Sequence, residues 1–174
     1  VVNEYSVKFP EEIYQFHKSL GFEYMQFIPL VETDPDNPEK SAAYSVGEKA
    51  YGDFLIKLFD LWQNDFEDGI ATTSIRHFDS VFHSYVGLEA PECTLLKECG
   101  NYVVVEHNGD VYSCDFFVEP TWKLGNLYDD DILVMLNSEK QKEFGELKSD
   151  LPEKCQKCKW QRQCSGGCTK DRLR

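Results

Sequence analysis

With 174 residues and 41% hydrophobic content, the chain can bury one good core, or one core and a small satellite, so a disordered chain is excluded. Its formal net charge of −13 repels phosphate backbones and anionic lipid, which excludes nucleic acid and membrane surfaces as expected partners. No apolar run approaches the roughly 18 residues that span a bilayer. The opening VVNEYSVKFP also lacks the basic and apolar regions of a signal peptide, so a reducing cytoplasm is the expected compartment.

The first half reads βαβαβ. Val1 to Val7 is strand-like, and Pro10, Glu11 and Glu12 then sit where a helix first turn favours proline and acids. Ile13, Phe16, His17 and Leu20 follow at helical spacing, and Gly21 closes the helix. Tyr24 to Leu30 lacks polar alternation, as a strand covered on both faces does. Val31 to Ala43 (VETDPDNPEKSAA) is a long, acidic loop, a solvated excursion or a functional loop at a strand end. From about Gly47 to Phe66, the residues Phe54, Leu55, Leu58, Phe59 and Trp62 mark a long amphipathic helix, and Ala71 to Phe78 is again strand-like. Such alternation predicts parallel strands joined by crossovers, in an open α/β sheet or part of a barrel.

The character changes near residue 90, where the chain becomes rich in cysteine and loops. Asn101 to His107, Asn108-Gly109 and Asp110 to Ser113 predict a β-hairpin with a primed turn, whose return strand delivers Cys114 towards Cys99. Helical spacing of Ile132, Leu133, Met135, Leu136 and Phe144 predicts a helix from about 130 to 147.

The cysteines Cys93, Cys99, Cys114, Cys155, Cys158, Cys164 and Cys168 are separated by five, fourteen, forty, two, five and three residues. Cys155-Gln-Lys-Cys158 lets two thiolates converge on one metal centre, and the paired glycines of Cys164-Ser-Gly-Gly-Cys168 permit a second tight loop. The odd count and the absence of a secretory signal argue against disulfides. The last four cysteines by themselves fit structural zinc and an iron-sulfur cluster equally, while Cys93, Cys99 and Cys114 around a hairpin exceed what a local zinc knuckle requires. The histidines at 17, 77, 83 and 107 show no paired metal spacing. Nothing resembles a phosphate-binding glycine loop or a nucleophile elbow.

Cys99, nine residues, Gly109, four residues, Cys114, followed later by CxxC, five residues, Cys, three residues and Cys, resembles the SPASM domain of radical S-adenosylmethionine enzymes. With Cys93 added and Asp115 directly after Cys114, the chain is similar to the anaerobic sulfatase-maturating enzymes over nearly its whole length. The resemblance implies an α/β fold at residues 1–88, the last βα units of a partial TIM-like barrel. A small cysteine-rich α+β domain with a β-hairpin and short helices, at residues 89–174, would follow it.

It further implies one auxiliary [4Fe-4S] cluster on Cys93, Cys99, Cys114 and Cys168, and a second site on Cys155, Cys158 and Cys164. The eighth ligand of the pattern is expected beyond Arg174. No CxxxCxxC motif occurs and the chain begins without Met, so it is expected to be a piece of a longer enzyme and inactive alone. In such enzymes a 5′-deoxyadenosyl radical, made from S-adenosylmethionine, starts the oxidation of a peptidyl cysteine or serine of a sulfatase to Cα-formylglycine. Asp115 matches the base that deprotonates the substrate, with a turn or capping aspartate as the plainer reading. Val2 and Val31, near strand ends, match positions that touch the cofactor, and core packing explains them equally. Lys154, Lys157, Lys159 and Arg162 form a basic face near the second site. The implied partners are an unfolded sulfatase peptide and an electron carrier such as a ferredoxin or flavodoxin. A SPASM enzyme acting on another ribosomal peptide and a zinc-binding regulatory or interaction module are the alternative readings.

Overall fold

The computed structural model describes residues 1–172, apart from the side chains at 38 and 39, and divides after Glu92 into two compact units. Among the described residues no helix is long and apolar enough to cross a membrane.

In the first unit, helix α1 (Pro10–Ser19) begins with proline at its first turn beside Glu11 and Glu12, where a missing N–H costs nothing and the helix dipole favours acids. Gly21 follows at φ +79, the left-handed conformation that turns the chain out of the helix. Strand β1 (Tyr24–Met25) and a small hairpin of β2 (Thr33–Asp34) and β3 (Asn37–Ser41) come next, then helix α2 (Glu48–Asn64), strand β4 (Ser74–Ile75) and helix α3 (Arg76–Val86). Strand β1 pairs with β4 in parallel, and Val2 bridges Pro29, also in parallel. The expected parallel order therefore stands, on shorter strands.

The core under this sheet gathers Val2, Tyr14, Met25, Phe27, Phe54, Leu58, Ile75 and Phe78. Each large apolar side chain here stabilises the fold by about 1.5–3 kcal/mol through burial. Two polar groups at its edge are satisfied: Trp62 Nε1 donates to the Thr73 carbonyl at 2.6 Å and Tyr51 Oη to the Phe27 carbonyl at 2.7 Å.

Several expectations are corrected in this unit. The opening segment forms a single bridge at Val2 and then a 3-10 turn at Ser6–Lys8, because Asn3 Oδ1 accepts from the backbone N–H groups of Tyr5 and Ser6 and bends the chain. The segment from Tyr24 is not covered on both faces: Met25 and Phe27 are buried, whereas Tyr24 is 82% exposed and Ile28 40%. Its apolar outward residues concealed an ordinary one-sided alternation. The stretch from Ala71 to Phe78 holds only two strand residues before α3 begins, and Gly87 at φ +77 caps that helix. The acidic loop contains the β2–β3 hairpin, where Asp34 Oδ1 accepts from the N–H groups of Asp36 and Asn37.

The second unit, from Cys93 onward, is a three-stranded antiparallel sheet with short helices. Strands β5 (Val104–Val105) and β6 (Asp110–Tyr112) form the expected hairpin, and β7 (Lys123–Asn126) adds an unforeseen third strand. The turn is not primed. Glu106 O accepts from Gly109 N at 2.9 Å, and only Gly109 of the Asn-Gly pair has positive φ, at +84, so the loop is one residue longer and ends in a glycine bulge.

The single helix expected at 130–147 is two, α4 (Ile132–Leu136) and α5 (Glu139–Glu146), extended by a 3-10 turn at Leu147–Ser149. Asp131 caps the first by accepting from Leu133 N and Val134 N, and Ser138 caps the second by accepting from Gln141 N. Short helices α6 (Glu153–Gln156), α7 (Gln161–Cys164) and α8 (Thr169–Arg172) complete the unit.

Candidate metal centre

Four of the seven cysteines surround one cavity. Cys93 is presented by a 3-10 turn at Cys93–Leu95, and its carbonyl accepts from Lys148 Nζ at 2.5 Å. Cys99 is fixed by its own N–H, which donates to the Gly145 carbonyl at 3.2 Å, and the following Gly100 turns at φ +87. Cys114 leaves the end of β6, where Ser113 N donates to the Trp122 carbonyl at 3.1 Å and Phe117 N closes a turn onto Cys114 O. Cys168 follows Ser165, Gly166 and Gly167, all with positive φ, so the paired glycines make the tight loop their sequence foretold.

These four thiols share the cavity with Tyr102, Phe116, Phe117, Phe144 and Lys148, an apolar lining with one buried cation. Phe144 packs edge-on against Phe117 and Trp122 with ring centroids 5.3 and 5.1 Å apart, which closes the wall behind the sulfurs. Burial pushes the Cys114 thiol up to about 11 and raises that of Cys168 as well. Thiols held this way ionise when a metal takes them as ligands, so metal loading releases protons.

The donor set fits an iron-sulfur cluster. All four donors are soft sulfur ligands, and they line a volume instead of gathering on a point. Among the described residues no three His, Cys, Asp or Glu side chains converge tightly enough to grip a single ion.

Cys155, Cys158 and Cys164 lie outside that cavity. Cys155 sits in α6, Cys158 N donates to Cys155 O at 3.1 Å across the CxxC turn, and Cys164 ends α7. Both Cys158 and Cys164 are exposed. Of the basic residues nearby, Lys157 pairs with Glu153, and Lys159 lies 5.0 Å over the Trp160 ring. They form a solvated surface.

Asp115 stands at the rim. Its Oδ1 accepts from Tyr102 Oη at 3.0 Å and from the Cys114 thiol at 3.3 Å, while the residue as a whole is exposed. Asp115 thus sits in the turn that Phe117 N closes onto Cys114 O, as the plainer reading expects, and its carboxylate is also engaged with side chains at the cysteine site. Burial, followed by contact with the Cys114 sulfur, raises the Tyr102 hydroxyl above its ordinary value and keeps it a proton donor to Asp115.

Val2 is a core residue at 2% exposed, and Val31 is half-buried beyond the bridge at Pro29. None of the histidines approaches a metal-ligand arrangement: His17 and His83 meet backbone carbonyls through Nδ1, His77 lies 3.4 Å from Glu92, and His107 is exposed. Residues that sequence reasoning did not single out are Lys148, Gln141, Tyr102 and Arg172, which hold the cysteine-bearing segments or face the cavity.

Residues 93–159 match the model of the SPASM family, an iron-sulfur cluster-binding domain, so the second unit is of that class. Over 99% of its length the chain is 36% identical to the serine-type anaerobic sulfatase-maturating enzyme of Bacteroides thetaiotaomicron, of which it covers 44%. Over the same share it is 36% identical to the cysteine-type enzyme of Clostridium perfringens, of which it covers 46%. The structure of native anSMEcpe with bound AdoMet and Cp18Cys peptide superposes at a TM-score of 0.83 with 33% identity, covering 97% of this chain and 46% of that one. Nearly the whole chain is thus similar to the anaerobic sulfatase-maturating enzymes, and it spans less than half the length of these relatives.

Proposed function

We propose that this chain is the part of a radical S-adenosylmethionine enzyme that carries auxiliary [4Fe-4S] clusters and the substrate base, in the oxidation of a sulfatase peptidyl cysteine or serine to Cα-formylglycine. The single observation that carries this reading is the cavity lined by Cys93, Cys99, Cys114 and Cys168 with the Asp115 carboxylate hydrogen-bonded at its rim. These four cysteines hold one cluster, and Cys155, Cys158 and Cys164 contribute to a second. The parallel order of Val2, β1 and β4 with helices between them supports assigning the first unit to a partial (β/α) barrel.

Bound clusters supply an acceptor for the electron that the peptide loses. The chain's own residues do the proton work. Asp115, exposed on one side and held by Tyr102 on the other, takes the proton of the substrate thiol or hydroxyl at a carboxylate oxygen. Tyr102 keeps that carboxylate oriented while the second oxygen stays open to the peptide. Phe117 and Phe144 line the cavity, with Trp122 packed against Phe144.

In the native protein, prepared and reconstituted anaerobically, Asp115→Asn is expected to lower peptide oxidation strongly with iron and sulfide content intact. Unchanged turnover removes the base role, and a colourless protein holding only stoichiometric zinc after reconstitution removes the cluster reading altogether.

A further inference from the structure

Helix α5 and its 3-10 extension bury Gln141, Phe144, Gly145 and Lys148, one helical stripe. The side-chain donors of that stripe end on backbone beside cysteines. Gln141 Nε2 donates to Gly100 O at 3.1 Å, to Tyr102 O at 2.9 Å and to Ser113 O at 3.5 Å, spanning the segments that carry Cys99 and Cys114. Gly145 O accepts from Cys99 N. Lys148, 0% exposed, donates from Nζ to Cys93 O at 2.5 Å and to Thr94 O at 3.0 Å. The Lys148 carbonyl in turn accepts from Arg172 Nη1 at 2.6 Å, and Arg172 also donates to Ser165 O and Gly166 O in the loop that leads to Cys168.

Lys148 is therefore the point at which the Cys93 turn and the Cys168 loop meet. A fully buried ammonium is costly unless it is compensated, and two carbonyl dipoles compensate only in part. The same cavity is lined by Cys93, Cys99, Cys114 and Cys168, whose sulfurs carry negative charge once they are metal ligands. A lysine that served only to fill the core would be replaceable by an apolar residue at little cost, whereas the Lys148 ammonium group is bonded to the carbonyls of the Cys93 turn.

We propose that Lys148 is a positioning residue of the four-cysteine cluster site, pinning the Cys93 turn through its ammonium group and offsetting the negative charge of the thiolate ligands. This rests on the assignment of Cys93, Cys99, Cys114 and Cys168 to one cluster. Positive charge beside a cluster favours its reduced form, so Lys148 raises that cluster's reduction potential.

The test uses the native protein, reconstituted anaerobically with iron and sulfide, as wild type, Lys148→Met, Lys148→Gln and Cys114→Ala. Iron and sulfide per chain, potentials from an EPR-monitored redox titration, and circular dichroism as a fold control are measured. Lys148→Met keeps the linear stem without donors or charge and is expected to lose one cluster's worth of iron with its fold retained. Lys148→Gln keeps a donor and is expected to hold that iron, with a more negative potential for the transition that Cys114→Ala lacks. Full iron in Lys148→Met together with an unchanged potential in Lys148→Gln overturns the proposal. If Lys148→Met does not fold, the Lys148→Gln potential decides alone, an unchanged value overturning it. Combining Lys148→Met with Cys114→Ala is expected to remove no more iron than either change singly, and loss of a second cluster overturns the proposal. Full iron in Cys114→Ala alone shows instead that the four-cysteine assignment has failed.

Discussion

Gly145→Ala places a methyl group where the chain has no room for one. The added Cβ would stand 2.7 Å from the Cys99 carbonyl oxygen and 3.4 Å from its carbon. An ordinary C···O approach is about 3.3 Å or more, so the Cys99 carbonyl must retreat by roughly 0.6 Å. Gly145 lies in α5 without a positive φ, so the backbone itself accepts alanine and the contact alone decides the outcome. Overpacking of this kind costs about 1–3 kcal/mol. Stretching the bond from Cys99 N to Gly145 O adds about 0.5–1.5 kcal/mol, and the helix preference for alanine over glycine returns about 1 kcal/mol. The net is a destabilisation of about 1–3 kcal/mol, which is a roughly 5- to 150-fold change in an opening equilibrium. Hydrogen exchange of the segment containing Cys99, followed by mass spectrometry on the native protein, reads that change directly. Gly52→Ala in α2 is the control, because its Cβ would meet nothing within 4 Å. It is expected to stabilise by up to about 1 kcal/mol. Undiminished protection at Cys99 in Gly145→Ala refutes the close approach of α5 to the first cysteine loop.

Two further outcomes follow from the same geometry. Cys168→Ala is expected to remove iron from the site it shares with Cys114 and to leave the CxxC site loaded; iron lost only from the CxxC site shows that the proposed grouping of ligands is wrong. Asp110 is held below the usual carboxylate value by Lys123, whose Nζ lies 2.5 Å away, and by Asn126, so its pairing stabilises the fold above the unfolded carboxylate value and loses that effect as pH falls through the folded one. The melting difference between wild type and Asp110→Asn should accordingly be present at neutral pH and shrink below about pH 4; a difference that persists into strong acid contradicts the pairing.

The helices α1 and α2 were legible because Pro10 and the acids mark a start and because Phe54, Leu55, Leu58 and Trp62 recur at helical spacing. Helix α3 was not. Thr72, Thr73 and Ile75 carry a strand signal that runs straight into Arg76, with no capping side chain between them, since Ile75 caps nothing. Strand β7 escaped notice because Lys-Leu-Gly-Asn has no alternation, and its place is set by pairing with β6. The break between α4 and α5 had a signal in Ser138, which caps α5 through Gln141 N, but the apolar spacing carried across it. Cysteine gaps indicated the sulfurs of the site. They could not indicate what holds those sulfurs in place.

Cys93, Cys99, Cys114 and Cys168 are distant in sequence, and bringing four such points to one cavity costs loop-closure entropy before any metal binds. Metal binding alone would have to offset that cost in a chain with no other tether. Here the long interval between Cys114 and Cys155 contains α5. Gln141, Gly145 and Lys148 recur at positions i, i+4 and i+7, the spacing of a core face, yet two of the three are polar side chains that an apolar core does not select. A glutamine and a lysine on the buried stripe of an amphipathic helix are thus a sequence signal in their own right: they mark a face that meets backbone carbonyls instead of apolar side chains. In this fold those carbonyls belong to Cys93, Gly100 and Ser113, so the helix holds the segments that carry three of the four proposed ligands.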